Sequence, residues 1–259
     1  MKLMLYQIDA FANRPFEGNP AAICPLDSWL PDELMQSIAA ENNLSETAFF
    51  IPTDKGYHIR WFTPMNEVDL CGHATLASAY VIFNLLDYKN NEIVFESRSG
   101  LLRVNRNSDW LKLDFPAQAP TSCKIPELIV KAFNSQPIEC LRSEDYIVVL
   151  SDEQSVLNAK PDFSLLEKLD LRGVAITAKG TRYDFVSRFF APKYGINEDP
   201  VTGSAYTQLV PYWSDQLGVY NFHSKQVSIR GGEVYCELAG ERVLISGKAV
   251  MYMKGEIEL

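Results

Sequence analysis

The chain is 259 residues long, with 47% hydrophobic and 22% charged residues, a balance that suits a soluble globular protein of one large domain or two medium ones. Its formal charge of −9 argues against nucleic acid and against an anionic membrane surface, since no basic stripe is present to release counterions. A small anionic substrate stays compatible with that charge, because one pocket can be positive on an acidic protein.

The first ten residues, Met1 to Ala10, are too short and too polar for a signal peptide, and no apolar run approaches membrane-spanning length. The expected location is cytoplasmic, where the pattern Asn43-Leu44-Ser45 is a coincidental match to a glycosylation site. The five cysteines are odd in number, widely spaced and without a C-x-x-C, which argues against a disulfide framework or a zinc site. His58, His73 and His223 are scattered, which argues against a histidine-rich metal centre.

Leu3 to Ala10 alternates as a strand, Asn13 to Asn19 is a loop, and Ala21 to Cys24 is a second strand. Pro31 to Ala40 reads as an amphipathic helix with Asp32 and Glu33 in its first turn. Ala48 to Ile51 is an apolar strand with Glu46 at its mouth. His58 to Phe62 alternates as a strand, and Ala74 to Leu86 is a helix apolar on nearly every face. Glu92 to Phe95, Leu101 to Asn105 and Trp110 to Phe115 read as a three-stranded meander. Pro116 to Pro126, with three prolines, reads as a linker and places a domain boundary.

Beyond that linker the plan repeats. Pro126 to Phe133, Val156 to Ala159 and Phe163 to Leu169 look helical, and Tyr146 to Leu150, Gly173 to Ala178 and Asp184 to Phe190 read as strands. A second nearly apolar helix runs from Ala205 to Leu217, with Pro211 expected to kink or restart it. Strands follow at Gln226 to Ile229, Glu233 to Leu238, Arg242 to Ser246 and Ala249 to Met253, and Arg230-Gly231-Gly232-Glu233 reads as a hairpin turn.

Two stretches carry the chemistry. Glu198-Asp199-Pro200-Val201-Thr202-Gly203-Ser204-Ala205 passes from an acidic pair through a glycine into a buried helix, with Ser204 a good N-cap. Such a helix start offers N–H groups to a carboxylate or phosphate, with Asp199 at its rim. Glu67-Val68-Asp69-Leu70-Cys71-Gly72-His73-Ala74-Thr75 has the same build, although the two share little residue identity. Two such helices suggest two like halves facing a shared cleft. Glu46, entering apolar surroundings, is a candidate general acid/base or, more plainly, a loop carboxylate bonded to backbone N–H groups. Cys71 has no cysteine counterpart in the second stretch, so a two-thiol racemase is not signalled, and Cys71 reads as buried packing. Phosphate-loop, Rossmann and serine-hydrolase signatures are missing, so no cofactor is called for.

These motifs resemble the phenazine-biosynthesis PhzF-like family, relatives of diaminopimelate epimerase. The resemblance runs through Gly18-Asn19-Pro20-Ala21-Ala22, Ser45-Glu46-Thr47-Ala48-Phe49, Arg60-Trp61-Phe62-Thr63-Pro64, Asp69 to Thr75 and Leu113-Asp114-Phe115-Pro116. It continues through Ser187-Arg188-Phe189-Phe190-Ala191-Pro192, Glu198 to Ala205 and Arg230 to Glu233. Tyr206 departs from the histidine that many members carry after Gly-Ser-Ala, which could alter substrate fit.

The resemblance implies a diaminopimelate epimerase-like α/β (α+β) fold, in which two similar domains each wrap a curved, mostly antiparallel sheet around a central buried helix. The domains would be residues 1–115, joined by the last strand 248–259, and 116–247, with the active site in the cleft between them. It implies a cofactor-independent isomerase or epimerase that moves a proton on a small carboxylate-bearing substrate. Glu46 would be the acid/base. His73, Asp199, Gly72, Gly203, Ser204 and Asn19 would bind substrate, with His73 orienting rather than transferring the proton. No metal is implied, and a homodimer is. The alternative is a member that keeps the fold and binds a small ligand or a protein without turnover.

Overall fold

A computed structural model describes residues 1–259. In chain order the elements are β1 (Lys2–Ala10), β2 (Asn19–Pro25), α1 (Asp32–Asn42), β3 (Glu46–Thr53), β4 (Gly56–Phe62), β5 (Glu67–Val68), α2 (Gly72–Leu85), β6 (Glu92–Ser97), β7 (Gly100–Asn107) and β8 (Trp110–Pro116). They continue as β9 (Thr121–Ser122), α3 (Glu127–Phe133), β10 (Glu139–Arg142), β11 (Tyr146–Val149), α4 (Glu153–Asn158), α5 (Phe163–Leu166), β12 (Val174–Lys179) and β13 (Phe185–Ala191). A 3₁₀ turn at Pro192–Tyr194 precedes β14 (Ile196–Asp199), α6 (Gly203–Leu217), β15 (Asn221–Gln226), β16 (Gly232–Ala239), β17 (Arg242–Gly247) and β18 (Ala249–Glu258). The chain divides into two compact units, residues 1–114 with 246–259, and residues 115–245.

The first unit is closed by its own ends. β18 pairs antiparallel with β1 along its length, from Lys2 opposite Glu258 to Ala10 opposite Ala249. β1 also pairs antiparallel with β2. Gly18 enables the entry into β2: it sits at φ +66, and a Cβ there would lie 2.0 Å from the carbonyl oxygen of Ala10. β2 and β3 are parallel and joined through α1, β3 and β4 are antiparallel, and β4 and β6 are parallel and joined through α2. α2 (Gly-His-Ala-Thr-Leu-Ala-Ser-Ala) buries every residue from Gly72 to Ala79, so apolar burial rather than a charged outer face holds it in place.

The second unit uses the same wiring. β11 and β12 are parallel, β12 and β13 antiparallel, β13 and β15 parallel through α6, and β15 and β16 antiparallel. The tetrapeptide Tyr-Ile-Val-Val of β11 is wholly buried, as a parallel strand covered on both faces should be. A local device recurs as well. Arg60 and Arg188 each begin an Arg-x-Phe-x-Pro run. Arg60 forks onto Glu67 at 2.7 and 2.8 Å and lies 5.2 Å over Phe62. Arg188 forks onto Glu198 at 2.7 and 2.9 Å and lies 5.1 Å over Phe190. Each arginine thus ties a central strand to the acidic stretch that leads into the buried helix.

Two sequence expectations change, and one strand had none. Pro211 neither restarts nor ends α6, which runs unbroken from Gly203 to Leu217. The carbonyl of Thr207, which a proline at 211 leaves without a helical donor, accepts the Gln118 N–H at 2.9 Å instead. The strand expected at Gln226 to Ile229 is β15, ending at Gln226, and the apolar residues after it lie in the turn, where Ile229 is 99% exposed. Finally, β10 gave no sequence signal, and pairing with β9 and β11 defines it.

Candidate active site

In the first unit the site forms where β3 and α2 begin. Cys71, in an extended conformation, is the N-cap of α2, Gly72 is its first residue and His73 its second. Thr75 turns its N–H (3.1 Å) and its hydroxyl (2.6 Å) to the Cys71 carbonyl, which fixes the helix start. The leading N–H groups, at Gly72 and His73, have no partner within the helix and point out of its end.

Glu46 is the first residue of β3, fixed opposite Ala21 of β2. Its Oε2 lies 3.1 Å from His73 Nε2. The two are not aligned as a hydrogen bond, so both buried atoms lack a hydrogen-bond partner within the protein. Buried polar atoms left in this state are costly, and a third group, such as a ligand, would satisfy them.

On the other side of the ring, His73 Nδ1 lies 3.2 Å from Asn19 Nδ2 and 3.6 Å from Cys71 Sγ. Ser45 donates to Asn19 Oδ1 at 3.3 Å. As placed, the Asn19 amide nitrogen suits a neutral ring whose Nδ1 accepts and whose proton is on Nε2. Turned over, the same amide would present Oδ1 to an imidazolium.

Burial alone would lower the His73 pKa, but the negative charges available at Cys71 and Glu46 outweigh it and hold the imidazole well above its usual 6.5. Burial, and then Glu46, push the Cys71 thiol up to about 11, so at neutral pH it is uncharged and Glu46 is the partner that retains the ring proton. Donor atoms of Glu46, Cys71 and His73 all lie within 4.8 Å of one another. Cys71 lies against one ring nitrogen, at 3.6 Å, and Glu46 against the other, at 3.1 Å.

In the second unit the equivalent helix start carries a different set. Thr202, not Ser204, is the N-cap of α6, and Ser204 is its second residue, the place His73 has in α2. Thr202 reached this role because its backbone is extended, while Ser204 already has helical neighbours on both sides. Its hydroxyl donates to Asp199 Oδ2 at 2.5 Å. Fully buried Gln226 braces this turn: its amide nitrogen donates to the Asp199 carbonyl at 2.7 Å, and its oxygen accepts the Thr202 N–H at 2.9 Å.

Ser204 Oγ accepts from Arg172 Nη2 at 3.0 Å, which leaves its own O–H to donate onward. Arg172 is forked onto buried Asp145 at 2.9 and 2.6 Å, and Gln208 donates to the same carboxylate at 2.7 Å. Burial works against the guanidinium charge, but Asp145, Glu144 and Asp199 outweigh it. The start of α6 is therefore rich in donors, with the Arg172 charge balanced by the carboxylates around it.

The shared wiring shows what the second unit lacks. Thr47 faces Phe62 in one unit and Val174 faces Phe190 in the other, so the position before each, Glu46 and Gly173, correspond. A Cβ on Gly173 would come within 2.6 Å of Phe189 Cζ and 2.8 Å of the Phe190 carbonyl oxygen, so no side chain fits there. The carboxylate is thus present in one unit and sterically barred from its place in the other.

The structure brings Glu46, His73, Asn19 and Gly72 together in the first unit, and Asp199, Gly203 and Ser204 in the second. Cys71 is buried, as expected of a packing residue, and its sulfur also lies against the His73 ring. Tyr206, by contrast, is fully buried, packs with Phe185 at a ring distance of 6.0 Å, and belongs to the core. Sequence reading missed Ser45, Arg172, Asp145 and Gln226 as supports. Ser45 adjoins Glu46 in a quoted motif and could have been found; the others lie far from either motif in sequence.

Fold and site together define an α/β protein with a buried carboxylate–imidazole pair at the start of one central helix. Similar architecture, with a TM-score of 0.64 at 10% identity over 99% of this chain and 92% of the other, occurs in a hydroxyproline epimerase from Agrobacterium vitis, a likeness of fold alone. The model of the phenazine biosynthesis-like protein family matches residues 8–255, and the chain belongs to that family. It is 52% identical, over the full length of both chains, to a Pseudomonas aeruginosa protein named an uncharacterized isomerase. A crystal structure of a PhzF family protein from Enterococcus faecalis matches with a TM-score of 0.98 and 46% identity, covering 100% of both chains. Isomerase is the activity class these relatives support.

Proposed function

We propose that the protein is a cofactor-independent isomerase that moves a proton on a small carboxylate-bearing substrate, with Glu46 as the single acid/base. The observation that carries this reading is the buried pair of Glu46 Oε2 and His73 Nε2, 3.1 Å apart and both lacking a hydrogen-bond partner. A base must reach a carbon acid, and a buried carboxylate oxygen that has only the His73 ring beside it is placed to do so. His73, held by Asn19 and backed by Ser45, orients the substrate and steadies the charge on Glu46. Asp199 holds an amine or hydroxyl of the substrate. The N–H groups of Gly72, Gly203 and Ser204 and the Ser204 hydroxyl take up carboxylate or developing enolate charge, as an oxyanion hole does.

The glycine at 173 supports a one-base rather than a two-base scheme. A two-base scheme cannot take its second acid from the counterpart of Glu46, which has no side chain, and Asp199, which accepts the Thr202 hydroxyl, is the binding group in this reading. The carboxylate that takes the proton is then the one that returns it, at another carbon or on another face after the carbanion turns. Exposed Met251, Tyr252 and Met253 on β18, with Phe16 against Tyr252 at 5.6 Å, support a homodimer formed through this strand.

The test is proton exchange in deuterated water. Wild-type protein is incubated with amino- and hydroxy-carboxylates, including cyclic dienes, and C–H signals are followed by NMR. Loss of one C–H signal identifies the substrate class and the reacting carbon. A ligand that raises the melting temperature without any exchange overturns the catalytic reading in favour of a binding role.

A further inference from the structure

Outside the Glu46 and Asp199 groups, the chain brings two thiols into contact. Cys123 follows β9 directly, and Cys140 is the second residue of β10. Ser122 faces Leu141 in that antiparallel pair, and the Cys123 N–H donates to the Cys140 carbonyl at 2.9 Å, so the two cysteines are cross-strand neighbours. Their sulfurs lie 3.7 Å apart. Facing residues of antiparallel strands have Cα atoms about 4.5–5.5 Å apart, within the range of about 4.4–6.8 Å that a disulfide spans. Side-chain rotation alone can therefore close the bond. Cys123 is half-buried and Cys140 is buried in the core of this unit, among Ile129, Tyr146 and Val148.

We propose that Cys123 and Cys140 form a reversible dithiol site that is oxidised by a low-molecular-weight disulfide of the glutathione type. The Cys123 thiolate attacks one sulfur of that disulfide, forms a mixed disulfide and expels one small thiolate. Cys140, after losing its proton to solvent, attacks the Cys123 sulfur and expels the second small thiol. Two protein thiols become one disulfide while one small disulfide becomes two thiols, and no other oxidant is needed. The order follows from access: Cys123 is the less buried residue of the two, and burial followed by the neighbouring Cys123 holds the Cys140 thiol protonated. The closed bond clasps β9 to β10 and encloses α3 in a covalent loop. Cys24 and Cys71, pushed up to about 12 and about 11 by burial, are expected to remain thiols.

The experiment uses the full-length reduced protein. It is incubated with glutathione disulfide, quenched with acid, alkylated under denaturing conditions and read by intact mass and peptide mapping. Wild type is expected to lose two alkylatable thiols, with Cys123 and Cys140 in one linked peptide pair and Cys24, Cys71 and Cys236 alkylated. Cys140→Ala should stop at a single glutathione adduct on Cys123, and Cys123→Ser should form neither link nor adduct. Circular dichroism checks that each variant is folded. A persistent adduct on wild-type Cys123, five alkylated cysteines, or a link between any other pair overturns the proposal.

Discussion

Replacing Glu46 by glutamine tests the proposed chemistry most directly. The change keeps the side-chain volume and removes the one titratable oxygen that faces His73. At 3.1 Å and an effective dielectric constant of about 20, the gross attraction between the two charges is about 5 kcal/mol. Most of that is offset by the cost of taking both ions out of water. Fold stability should therefore change by much less than the gross figure, because His73 can go neutral once its partner is neutral. The rate should not be spared. Positioned acid–base groups contribute about 10²–10⁴-fold, or about 3–5 kcal/mol of barrier. Deuterium wash-in on the substrate found with wild type is the assay, with the melting temperature as control. The His73 ring signals, followed by NMR against pH, should titrate at lower pH in the variant. Exchange at the wild-type rate, in a folded protein whose His73 titration has moved, would refute the assignment of Glu46 as the base.

Three further outcomes follow from the geometry. Because the His73 pKa is raised, its contribution to stability is fully present below the ordinary 6.5 and is lost as pH rises through the folded-state value. The stability gap between wild type and His73→Gln, from urea unfolding, should therefore be widest at acid pH and close on the alkaline side; a gap that widens there contradicts the assignment. The Tyr206 hydroxyl is buried without a hydrogen-bond partner, so Tyr206→Phe should be neutral or stabilising by up to about 1 kcal/mol, and a clear loss would show that the hydroxyl is bonded. Arg172→Gln strips the fully buried Asp145 carboxylate of its cation and should cost about 3 kcal/mol in the same unfolding assay, whereas a change below about 1 kcal/mol would mean Gln208 suffices.

Most of the secondary structure was legible because its signals are local. The apolar runs of α2 and α6, the alternation in β1 and β4, and the glycine and asparagine turns of the β6–β8 meander each sit within a few residues of sequence. What escaped depends on partners far along the chain. Pro211 reads as a kink or restart until the Gln118 N–H serves the Thr207 carbonyl. β10 is four residues long, and its neighbours rather than its own pattern make it a strand. The site divides in the same way. Glu46, His73, Asp199 and Ser204 lie in compact motifs, while Arg172, Asp145 and Gln226 are ordinary polar residues until the fold carries them to the start of α6. Cys71 was read as packing because sequence shows it lacking a second thiol, not that His73 stands beside it.

The pairing of β1 with β18 has a consequence for how the chain comes to be folded. The strand that completes the first unit, β18, follows every strand of the second unit in chain order. Residues 115–245 have all their strand partners for β11 to β16 before β18 leaves the ribosome. The second unit can thus fold during synthesis, while the first must wait, holding β1 and β2 without the strand that covers their edge. Contacts of such long sequence separation form slowly, so the N-terminal strands are the segment most exposed to mispairing and chaperone capture in the nascent chain.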